Sequence, residues 1–248
     1  SMSYIIIEKC QICNHRLNNF INLGNQPLCN DLLSFPKKNI FYKLEVKFCE
    51  KCLTAYQKYN IVKKRLFPKK YHYRSANTKD VLIGMNDLVE KIQKKKNLKK
   101  KIVLDIGCND GSLLDIFRKK GSITYGIEPT NAYLEAKKKG HKIFNNYFNL
   151  SLSNKIKKKI KKFDVITFTN VFAHIEDFKD LIQSLKNLVS NKTLIVIENH
   201  YLGSILKSNQ FDTFYHEHPR SYSFTSFTKI AHSLDLKISE VEFPSRYG

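Results

Sequence analysis

The segment VLDIGCNDG, at residues 103–111, constrains the fold of this chain more than any other stretch. Apolar residues before and after Asp105 predict a short buried strand that ends near this acid. Gly107 and Gly111 bracket a polar turn, and the apolar pattern of SLLDIF predicts a helix directly after it. Strand, glycine turn and helix in this order are typical of nucleotide-binding sites in open α/β sheets, because glycine lets the backbone approach a ligand and the helix N-terminus presents free N–H groups.

The glycine spacing differs from the dinucleotide-binding pattern GxGxxG. The second glycine follows four residues after the first, and the residues between them are polar. This D-x-G-x-x-x-G pattern resembles motif I of the class I S-adenosylmethionine (SAM) methyltransferases, whose ligand carries an amino-acid group and a ribose but no phosphate. The resemblance implies that SAM is the cofactor and is held by Asp105, Gly107, Cys108, Asn109 and Gly111.

The next predicted strand also ends in an acid. The segment SITYGIEPT, at residues 122–130, forms a strand pattern that ends at Glu128, with Pro129 after it. A carboxylate at the tip of the second strand can accept hydrogen bonds from both ribose hydroxyls of a nucleoside. We therefore expect Glu128 to bind the ribose of the cofactor, and we place Pro129 beside it among the cofactor-binding residues.

The rest of the chain continues the alternation of strands and helices. Asn146 and Phe148 follow the third strand, where the adenine would lie, so we expect both to line the base pocket. Helices are expected at residues 81–96, 112–117 and 132–139, and further strands at 141–146, 164–170, 193–199 and 236–243. No segment after residue 243 supplies the seventh, antiparallel strand of a class I sheet, so we expect this chain to be a truncated part of a longer protein.

Four cysteines near the N-terminus form two CxxC pairs. Cys10 and Cys13 make the first pair, and Cys49 and Cys52 make the second. Each pair can supply two thiolates from one tight turn, and four thiolates complete the tetrahedral shell of a structural Zn²⁺. We predict a closed zinc site that stabilises the fold and takes no part in the chemistry.

These patterns together predict an α/β fold with two parts. Residues 1–70 are expected to form a small zinc-binding domain with a linker, and residues 71–248 a class I SAM methyltransferase domain with a Rossmann-like sheet that lacks its last strand.

The chain is strongly basic, with a formal net charge of +21. Lysines are spread along its whole length and greatly outnumber arginines, whereas nucleic-acid interfaces concentrate charge on one face, so we discount a nucleic-acid partner. No apolar run approaches the roughly 18 residues that a membrane helix needs, and no signal peptide precedes the fold. We expect a cytoplasmic protein without a membrane partner, and we favour a monomer although the sequence leaves the oligomeric state open.

The stretch FDTFYHEHPRSYSFTSF, at residues 211–227, places several reactive side chains in a row. Tyr215, Glu217 and His218 are expected beyond the carboxyl ends of the strands, where an α/β sheet binds its ligand. A histidine is the natural general base near neutral pH, and a neighbouring glutamate can orient it. His174, which follows the fourth strand, is expected to face the same pocket.

The whole set of motifs resembles one family. The chain is similar to the sugar C-methyltransferases, typified by the 3-C-methyltransferases of deoxysugar biosynthesis, through its CxxC pairs and the segments LGNQPLCN, YHYRSAN, VLDIGCNDGSLL, GIEPTNA, NVFAHIED and FDTFYHEH. The resemblance implies a zinc domain, a SAM domain and a second Rossmann-like domain that completes the substrate pocket. Because the chain stops at RYG, where the family tends to continue, we expect that last domain to lie outside this sequence.

The resemblance also implies roles for single residues. Asn170 would lie near the methionine end of SAM, and His218 matches the general base of the family. The substrate site would be lined by Tyr71 or Tyr73, His174, Tyr215 and Glu217. The implied reaction is C-methylation of a nucleotide-linked 4-keto deoxysugar, in which His218 removes a proton beside the carbonyl and the carbanion attacks the methyl group of SAM.

Three alternatives remain at this level. The same residues would serve an O-methyltransferase acting on a sugar, which needs only a base and positioning. The charge favours an RNA methyltransferase with a zinc ribbon, although TNVFAH after the fourth strand differs from the NPPY-like turn of N-methylating nucleic-acid enzymes. The third alternative is that the chain is a SAM-binding subunit without catalytic activity.

Overall fold

The computed structural model describes residues 4–28, 41–169 and 171–242. The strands, in chain order, are β1 (Tyr4–Ile6), β2 (Asn18–Gln26), β3 (Tyr42–Cys49), β4 (Thr54–Gln57), β5 (Tyr59–Ile61), β6 (Ile102–Ile106), β7 (Ile123–Ile127), β8 (Lys142–Phe144), β9 (Val165–Thr169), β10 (Leu194–Glu198) and β11 (Arg220–Ser221). The α-helices are α1 (Lys63–Leu66), α2 (Lys79–Lys95), α3 (Ser112–Lys119), α4 (Tyr133–Lys138), α5 (Leu150–Lys159), α6 (Phe178–Lys186), α7 (Leu202–Lys207) and α8 (Phe224–Ser233). In these ranges, no helix has both the length and the apolar composition needed to cross a membrane.

The chain divides into two compact units that are interleaved in sequence. The first unit is formed by described residues of Ser1–Leu66, Phe172–Ile182 and Asn199–Gly248, and the second by those of Phe67–Val171 and Gln183–Glu198. The sequence predicts two consecutive domains that meet at residue 70. The division in the structure differs from this because β11, late in the chain, pairs with β4.

The second unit is built on an open sheet of parallel strands in the order β10-β9-β6-β7-β8. The parallel pairing confirms the predicted α/β class. The chain proceeds from β6 through β7 to β8 on one side and then returns to the other side of β6 with β9. In open α/β sheets, ligands bind beyond the carboxyl ends of the strands at such a switch point.

A compact apolar core fixes β6 between its helices. Val103 of β6, Val89 of α2, and Leu113 and Phe117 of α3 are all fully buried in one cluster. Burying a side chain of this size contributes about 1.5–3 kcal/mol. The apolar stripe that predicts a helix at residues 81–96 therefore faces a core, and α2 confirms it.

The predicted strand at residues 236–243 is wrong. Its described residues, 236–242, contain no strand. Ile238 and Val241 are 38% and 44% exposed, so these apolar residues have no core to face. Apolar residues specify a strand only where one of its faces is buried.

The first unit contains an antiparallel sheet in the order β11-β4-β3-β2 and a separate pair, β1 with β5. One core cluster surrounds the cysteine pairs and includes Leu17 and Tyr56. A second cluster packs Val46 and Ala55 of the sheet against apolar residues of α7 and the segment after it. At the start of α8, Ser226 is hydrogen-bonded to Thr54 of β4, with 2.6 Å between the hydroxyl oxygens. The unit is thus assembled from segments that are far apart in sequence.

Candidate functional sites

The glycine turn follows β6 at the switch point of the parallel sheet. Gly107 and Gly111 have φ values of 76° and 80°, in the left-handed region that favours glycine. A Cβ atom on Gly107 would lie only 2.6 Å from Cγ2 of Val171, and one on Gly111 would lie 3.0 Å from Cβ of Ala136. Both positions therefore need glycine for space as well as for backbone conformation.

Asp105 lies inside the sheet, below the turn. Its side chain is buried, and the hydroxyl of Thr167 on β9 donates a hydrogen bond of 2.7 Å to Oδ1. Burial raises the pKa of Asp105 to about 7, which the hydrogen bond from Thr167 partly opposes. The carboxyl group therefore joins the ends of β6 and β9 from within.

Glu128 lies at the end of β7, as the sequence predicts. Its two carboxylate oxygens accept backbone hydrogen bonds, Oε2 from Asn109 N at 2.8 Å and Oε1 from Thr130 N at 2.9 Å. Burial raises the pKa of Glu128, and these backbone donors act in the opposite direction. The side chain of Thr130 also hydrogen-bonds to this carboxylate and acts on the pKa in the same direction as the backbone donors.

The glycine turn is tied to the segment YHYRSAN, residues 71–77, which we call the strap. Nδ2 of Asn109 donates a hydrogen bond of 3.1 Å to the carbonyl oxygen of Tyr73. Oδ2 of Asp110 accepts one of 2.8 Å from the backbone N–H of Ala76. Asp110 is fully buried and holds the strap against the turn. The sequence motifs do not mark it as a site residue.

Asp110 also stabilises the first turn of α3. Its Oδ1 accepts hydrogen bonds from the backbone N–H of Ser112 at 3.0 Å and from the Ser112 hydroxyl at 2.6 Å. A carboxylate at a helix N-terminus is favoured by the free N–H groups and the helix dipole. The acid therefore connects three elements: turn, strap and helix.

The strap carries both tyrosines that the sequence singles out. Their ring centroids are 6.5 Å apart, and Tyr73 is 44% exposed. The backbone N–H of Tyr71 donates a hydrogen bond of 2.8 Å to Oδ1 of Asn131, and Nε of Arg74 lies 2.6 Å from Oε1 of Glu135. Side chains that follow β7 therefore hold the strap from the other side.

The residues expected near the adenine differ in exposure. Phe148 is buried, with its ring 6.2 Å from that of Phe168 in an edge contact. Asn146 is exposed, and Pro129 is half-buried beside Glu128. Asn170 lies outside the described residues. Their contacts with a cofactor remain predictions.

Cys108 occupies the space beside Gly126 of β7. A Cβ atom on Gly126 would lie 2.5 Å from the Cys108 sulfur, so the two residues are packed in direct contact. Burial raises the pKa of the Cys108 thiol well above its ordinary value. The side chain is therefore a neutral filler of the turn at neutral pH.

In the first unit, three histidines form a cluster. The ring centroid of His218 lies 4.7 Å from that of His174 and 5.5 Å from that of His200. Nε2 of His218 is hydrogen-bonded to the hydroxyl of Tyr215 at 2.9 Å. The sequence predicts His174, Tyr215 and His218 as one group, and the structure brings them together. His200 was missed, because nothing in the segment IENHYL marks it.

The cluster favours neutral imidazoles. Burial, with a contribution from His174 and His200, lowers the pKa of His218 well below its ordinary value. Burial lowers the pKa of His174 to about 4, and it also lowers the pKa of His200. A neutral imidazole has a lone pair that can accept a proton, while the burial that keeps His218 neutral also makes it a weaker base than an exposed histidine.

The two residues between Tyr215 and His218 have separate surroundings. Glu217 is buried, and the hydrogen bond on Nε2 of His218 comes from Tyr215 and not from this neighbouring acid. The imidazole of His216 is also buried, and its Nε2 lies 3.3 Å from the carbonyl oxygen of Gln26. His216 therefore packs towards β2 and not towards the cluster.

Gln57 at the end of β4 anchors this turn. Its Nε2 donates hydrogen bonds to the carbonyl oxygens of Tyr215 and His218, the latter at 2.8 Å. Its backbone N–H donates to the carbonyl oxygen of Pro219 at 2.9 Å. A buried glutamine in β4 thus fixes the backbone that carries the candidate base, a role that its sequence position does not reveal.

The four predicted metal ligands form a compact group. The thiol sulfurs of Cys10, Cys13, Cys49 and Cys52 all lie within 4.8 Å of one another. These donors are the set expected for a tetrahedral structural Zn²⁺.

The backbone of both pairs has the geometry of a metal-binding turn. Asn14 and Leu53, one residue after each pair, have φ values of 60° and 50°, and each donates its N–H at 2.8 Å to the backbone carbonyl oxygen of the first cysteine of the pair, which closes the turn. The N–H of Cys52 donates to the sulfur of Cys49 at 3.4 Å. A backbone donor to sulfur stabilises a thiolate, so this pair fits zinc.

Comparisons with known proteins give matches along most of the chain. Residues 77–241 match the family model described as a methyltransferase domain, and residues 10–67 match the model of a domain inferred to bind zinc. The C-methyltransferase NovU of Streptomyces niveus is 25% identical over 248 residues, which cover 98% of this chain and 59% of that protein.

Two further matches cover less of the chain. A ubiquinone biosynthesis O-methyltransferase of Histophilus somni (strain 2336) is 35% identical over 106 residues, 39% of this chain and 44% of the relative. A SAM dependent methyltransferase structure from Archaeoglobus fulgidus aligns with a TM-score of 0.46 and 18% identity, over 60% of this chain and 68% of that one. The chain thus spans less than two thirds of the length of either curated relative.

Proposed function

Because this chain belongs to the methyltransferase domain family, we propose that it transfers a methyl group from SAM to a carbon atom of a nucleotide-linked 4-keto sugar. The observation that carries the proposal is the buried, neutral His218 with the Tyr215 hydroxyl on its Nε2. Proton removal beside a carbonyl needs a base and a donor for the enolate oxygen. Similarity to a C-methyltransferase over 98% of the chain supports the same reaction.

The second unit supplies the groups proposed to hold SAM, which when bound provides an electrophilic methyl group. Glu128 presents carboxylate lone pairs to the ribose hydroxyls while two backbone N–H groups keep it oriented. Gly107 and Gly111 allow the turn its left-handed backbone conformation while Val171 and Ala136 pack directly against it. Asp105 and Thr167 keep the ends of β6 and β9 together, which fixes the position of the turn.

The first unit supplies the groups proposed for proton transfer. When the substrate enters, the Tyr215 hydroxyl leaves Nε2 of His218 and donates its hydrogen bond to the carbonyl oxygen instead. The exposed lone pair of Nε2 then takes the proton from the carbon beside the carbonyl, and the C–H electrons form the enolate. The enolate carbon would then form its bond to the methyl carbon as the bond from that carbon to the sulfonium sulfur breaks and S-adenosylhomocysteine leaves with the electron pair, and the imidazolium returns its proton to water.

The cysteine group has a separate role in this proposal. Four thiolates close the coordination shell of a zinc ion, so no ligand position remains for a substrate. Cys10, Cys13, Cys49 and Cys52 therefore hold the strands of the first unit together, and no step of methyl transfer uses them.

Deuterium exchange tests the proposed base separately from methyl transfer. The protein is incubated in D₂O with a nucleotide-linked 4-keto sugar and S-adenosylhomocysteine, so that proton removal proceeds without methylation. We expect deuterium to enter the position beside the carbonyl, and we expect His218→Gln to abolish this exchange. His232→Gln, an exposed histidine on α8, is the matched control and retains it.

An O-methyltransferase is the second candidate, because a relative with that name is 35% identical over part of the chain. O-methylation breaks an O–H bond and leaves the neighbouring C–H bond intact. A methylated product without deuterium exchange in the wild-type protein would therefore support O-methylation and overturn C-methylation.

A further inference from the structure

Arg220 on β11 is a buried cation with neutral hydrogen-bond partners. Its side chain is 1% exposed. Nε donates a hydrogen bond of 2.8 Å to the hydroxyl of Tyr222, and Nη1 donates to the backbone carbonyl of Glu176 at 3.2 Å and to the side-chain oxygen of Gln11. Among the described residues, no carboxylate pairs with Arg220, and Nη2 has no hydrogen-bond partner.

A short chain of polar groups leads from Arg220 to the metal ligands. Gln11, which accepts from Arg220, lies between Cys10 and Cys13 in sequence. The backbone N–H of Gln11 donates a hydrogen bond of 3.1 Å to the hydroxyl of Tyr56. That hydroxyl lies 3.2 Å from the sulfur of Cys10. The guanidinium and the thiol group are therefore two ends of one buried polar network.

The charge of the loaded metal site explains why an arginine is buried here. Zn²⁺ with four thiolates carries a net negative charge, and the centre lies in an apolar cluster with Ile7, Leu17 and Tyr56. A charge in such surroundings is costly unless an opposite charge is close. We propose that the guanidinium of Arg220 is the buried counter-charge of the zinc centre, so that zinc binding and burial of Arg220 stabilise each other.

The proposed pairing of Arg220 with the zinc centre also affects the turn that carries the candidate base, His218. Arg220 directly follows the turn from Tyr215 to Pro219, which Gln57 holds against β4. Holding the guanidinium on Gln11, which lies between Cys10 and Cys13 in sequence, therefore fixes the C-terminal end of the turn that carries His218. Arg220 is a positioning residue in this arrangement, and its proposed role does not depend on the identity of the methyl acceptor.

The rate of zinc release from the zinc-loaded protein tests whether the positive charge of Arg220 stabilises the zinc centre. Arg220→Met removes the charge and keeps a long apolar side chain, whereas Arg220→Lys keeps the charge. Arg16→Met is the matched control, because it removes an exposed positive charge that lies between the first cysteine pair and β2. The measured quantities are zinc content by metal analysis and the rate at which a coloured chelator withdraws the ion.

We expect Arg220→Met to release zinc about 10–100 times faster than the wild type, the range in which groups around a metal centre affect its binding. Arg220→Lys should release it within about threefold of the wild-type rate, and Arg16→Met should release it at the wild-type rate. In the cobalt-substituted proteins, the thiolate-to-cobalt charge-transfer band should shift in Arg220→Met but not in Arg220→Lys.

Three results overturn the proposal. The first is zinc release from Arg220→Met at the wild-type rate. The second is an equally faster zinc release from Arg220→Met and Arg220→Lys, which would indicate an effect of packing and not of charge. The third is an equally faster zinc release from the control Arg16→Met. If Arg220→Met does not fold, Arg220→Lys decides. Zinc retention near the wild-type rate in the Lys variant supports the proposal, and rapid zinc loss from it contradicts the proposal.

Discussion

The hydroxyl oxygen of Tyr215 lies 2.9 Å from Nε2 of His218, and their ring centroids are 4.1 Å apart. Burial keeps the imidazole neutral, so its lone pair can face the phenol proton. The proposed base and the proposed hydrogen-bond donor are therefore adjacent before any substrate arrives. A substrate carbonyl that takes over the hydrogen bond of Tyr215 would lie beside the proposed base.

Replacing Tyr215 by Phe should reduce methyl transfer far more than substrate binding. The variant keeps the ring but loses the donor proposed for the enolate oxygen, and loss of one such donor costs about 10²–10³ in turnover. Steady-state kinetics with a nucleotide-linked 4-keto sugar should show a lower kcat with a KM near that of the wild type. Tyr4→Phe, on β1, is the control and should leave both constants unchanged. A higher KM with an unchanged kcat in Tyr215→Phe would contradict the proposed role of Tyr215 as the hydrogen-bond donor.

His174 should make the free energy of unfolding depend on pH. Its pKa is about 4 in the folded protein and near 6.5 when unperturbed, so the unfolded chain takes up the proton first as the pH falls. The stability contributed by the neutral imidazole is complete above about pH 6.5 and is lost as the pH falls towards 4, which amounts to about 3 kcal/mol.

Urea unfolding of the wild type and His174→Gln between pH 4 and 7 measures this contribution. We expect the difference in stability between the two proteins to change by about 3 kcal/mol across that range. His232→Gln serves as the exposed control. Parallel pH profiles for the wild type and His174→Gln would show that the buried imidazole is not the group that titrates.

Local patterns in the sequence predict the local structure well. The segment around Asp105 predicts β6, the glycine turn and α3, because a buried strand and an amphipathic helix each leave a clear periodicity. The two CxxC spacings likewise predict a metal-binding group, since both ligands of a pair come from one turn.

Local sequence patterns do not predict contacts between segments that are far apart in the chain. Gln57 and Arg220 are single polar residues whose roles depend on the pairing of β4 with β11, and no periodicity encodes that pairing. His200 joins the histidine cluster only through the fold of its segment. The predicted strand at residues 236–243 is wrong for the same reason, because the apolar residues of a short segment do not reveal whether a core lies beside it.

Gly107→Ala should destabilise the protein more than Gly24→Ala, although both glycines have a φ near 75°. The backbone strain is therefore matched, at about 1–2 kcal/mol. Only Gly107 has a neighbour, Val171, at 2.6 Å from the added Cβ, whereas the Cβ of Gly24 meets nothing within 4 Å.

The clash should cost about 1–3 kcal/mol beyond the shared strain. Urea unfolding measures the stability difference, and calorimetry measures SAM binding, which should weaken in Gly107→Ala alone. Equal stability losses in the two variants would mean that Val171 moves aside without cost.

Asp110→Ala should detach the strap from the glycine turn. It removes the carboxylate acceptor for the N–H of Ala76 and for the N–H of Ser112 at the start of α3, and loss of one hydrogen bond to a charged group costs about 1.5–3 kcal/mol. We expect faster hydrogen exchange in residues 71–77 and weaker SAM binding. Asp80→Ala, an exposed acid in the first turn of α2, is the control and should change neither quantity. Unchanged exchange in the strap of the Asp110 variant would argue that other contacts hold it.

Gln57→Leu should impair proton removal without affecting SAM binding. The substitution disturbs the turn that carries the candidate base, and it leaves the residues proposed to bind SAM unchanged. The substitution removes the donor to the buried carbonyl oxygen of His218, at a cost of about 1–3 kcal/mol, while the carbonyl oxygen of Tyr215 keeps the backbone N–H of His218. We expect kcat and the rate of deuterium exchange beside the carbonyl to fall together, while the Kd for SAM stays at the wild-type value. Gln26→Leu, which alters an exposed glutamine at the end of β2, should preserve all three. Full exchange activity in Gln57→Leu would show that the backbone of the turn holds His218 in place without this side chain.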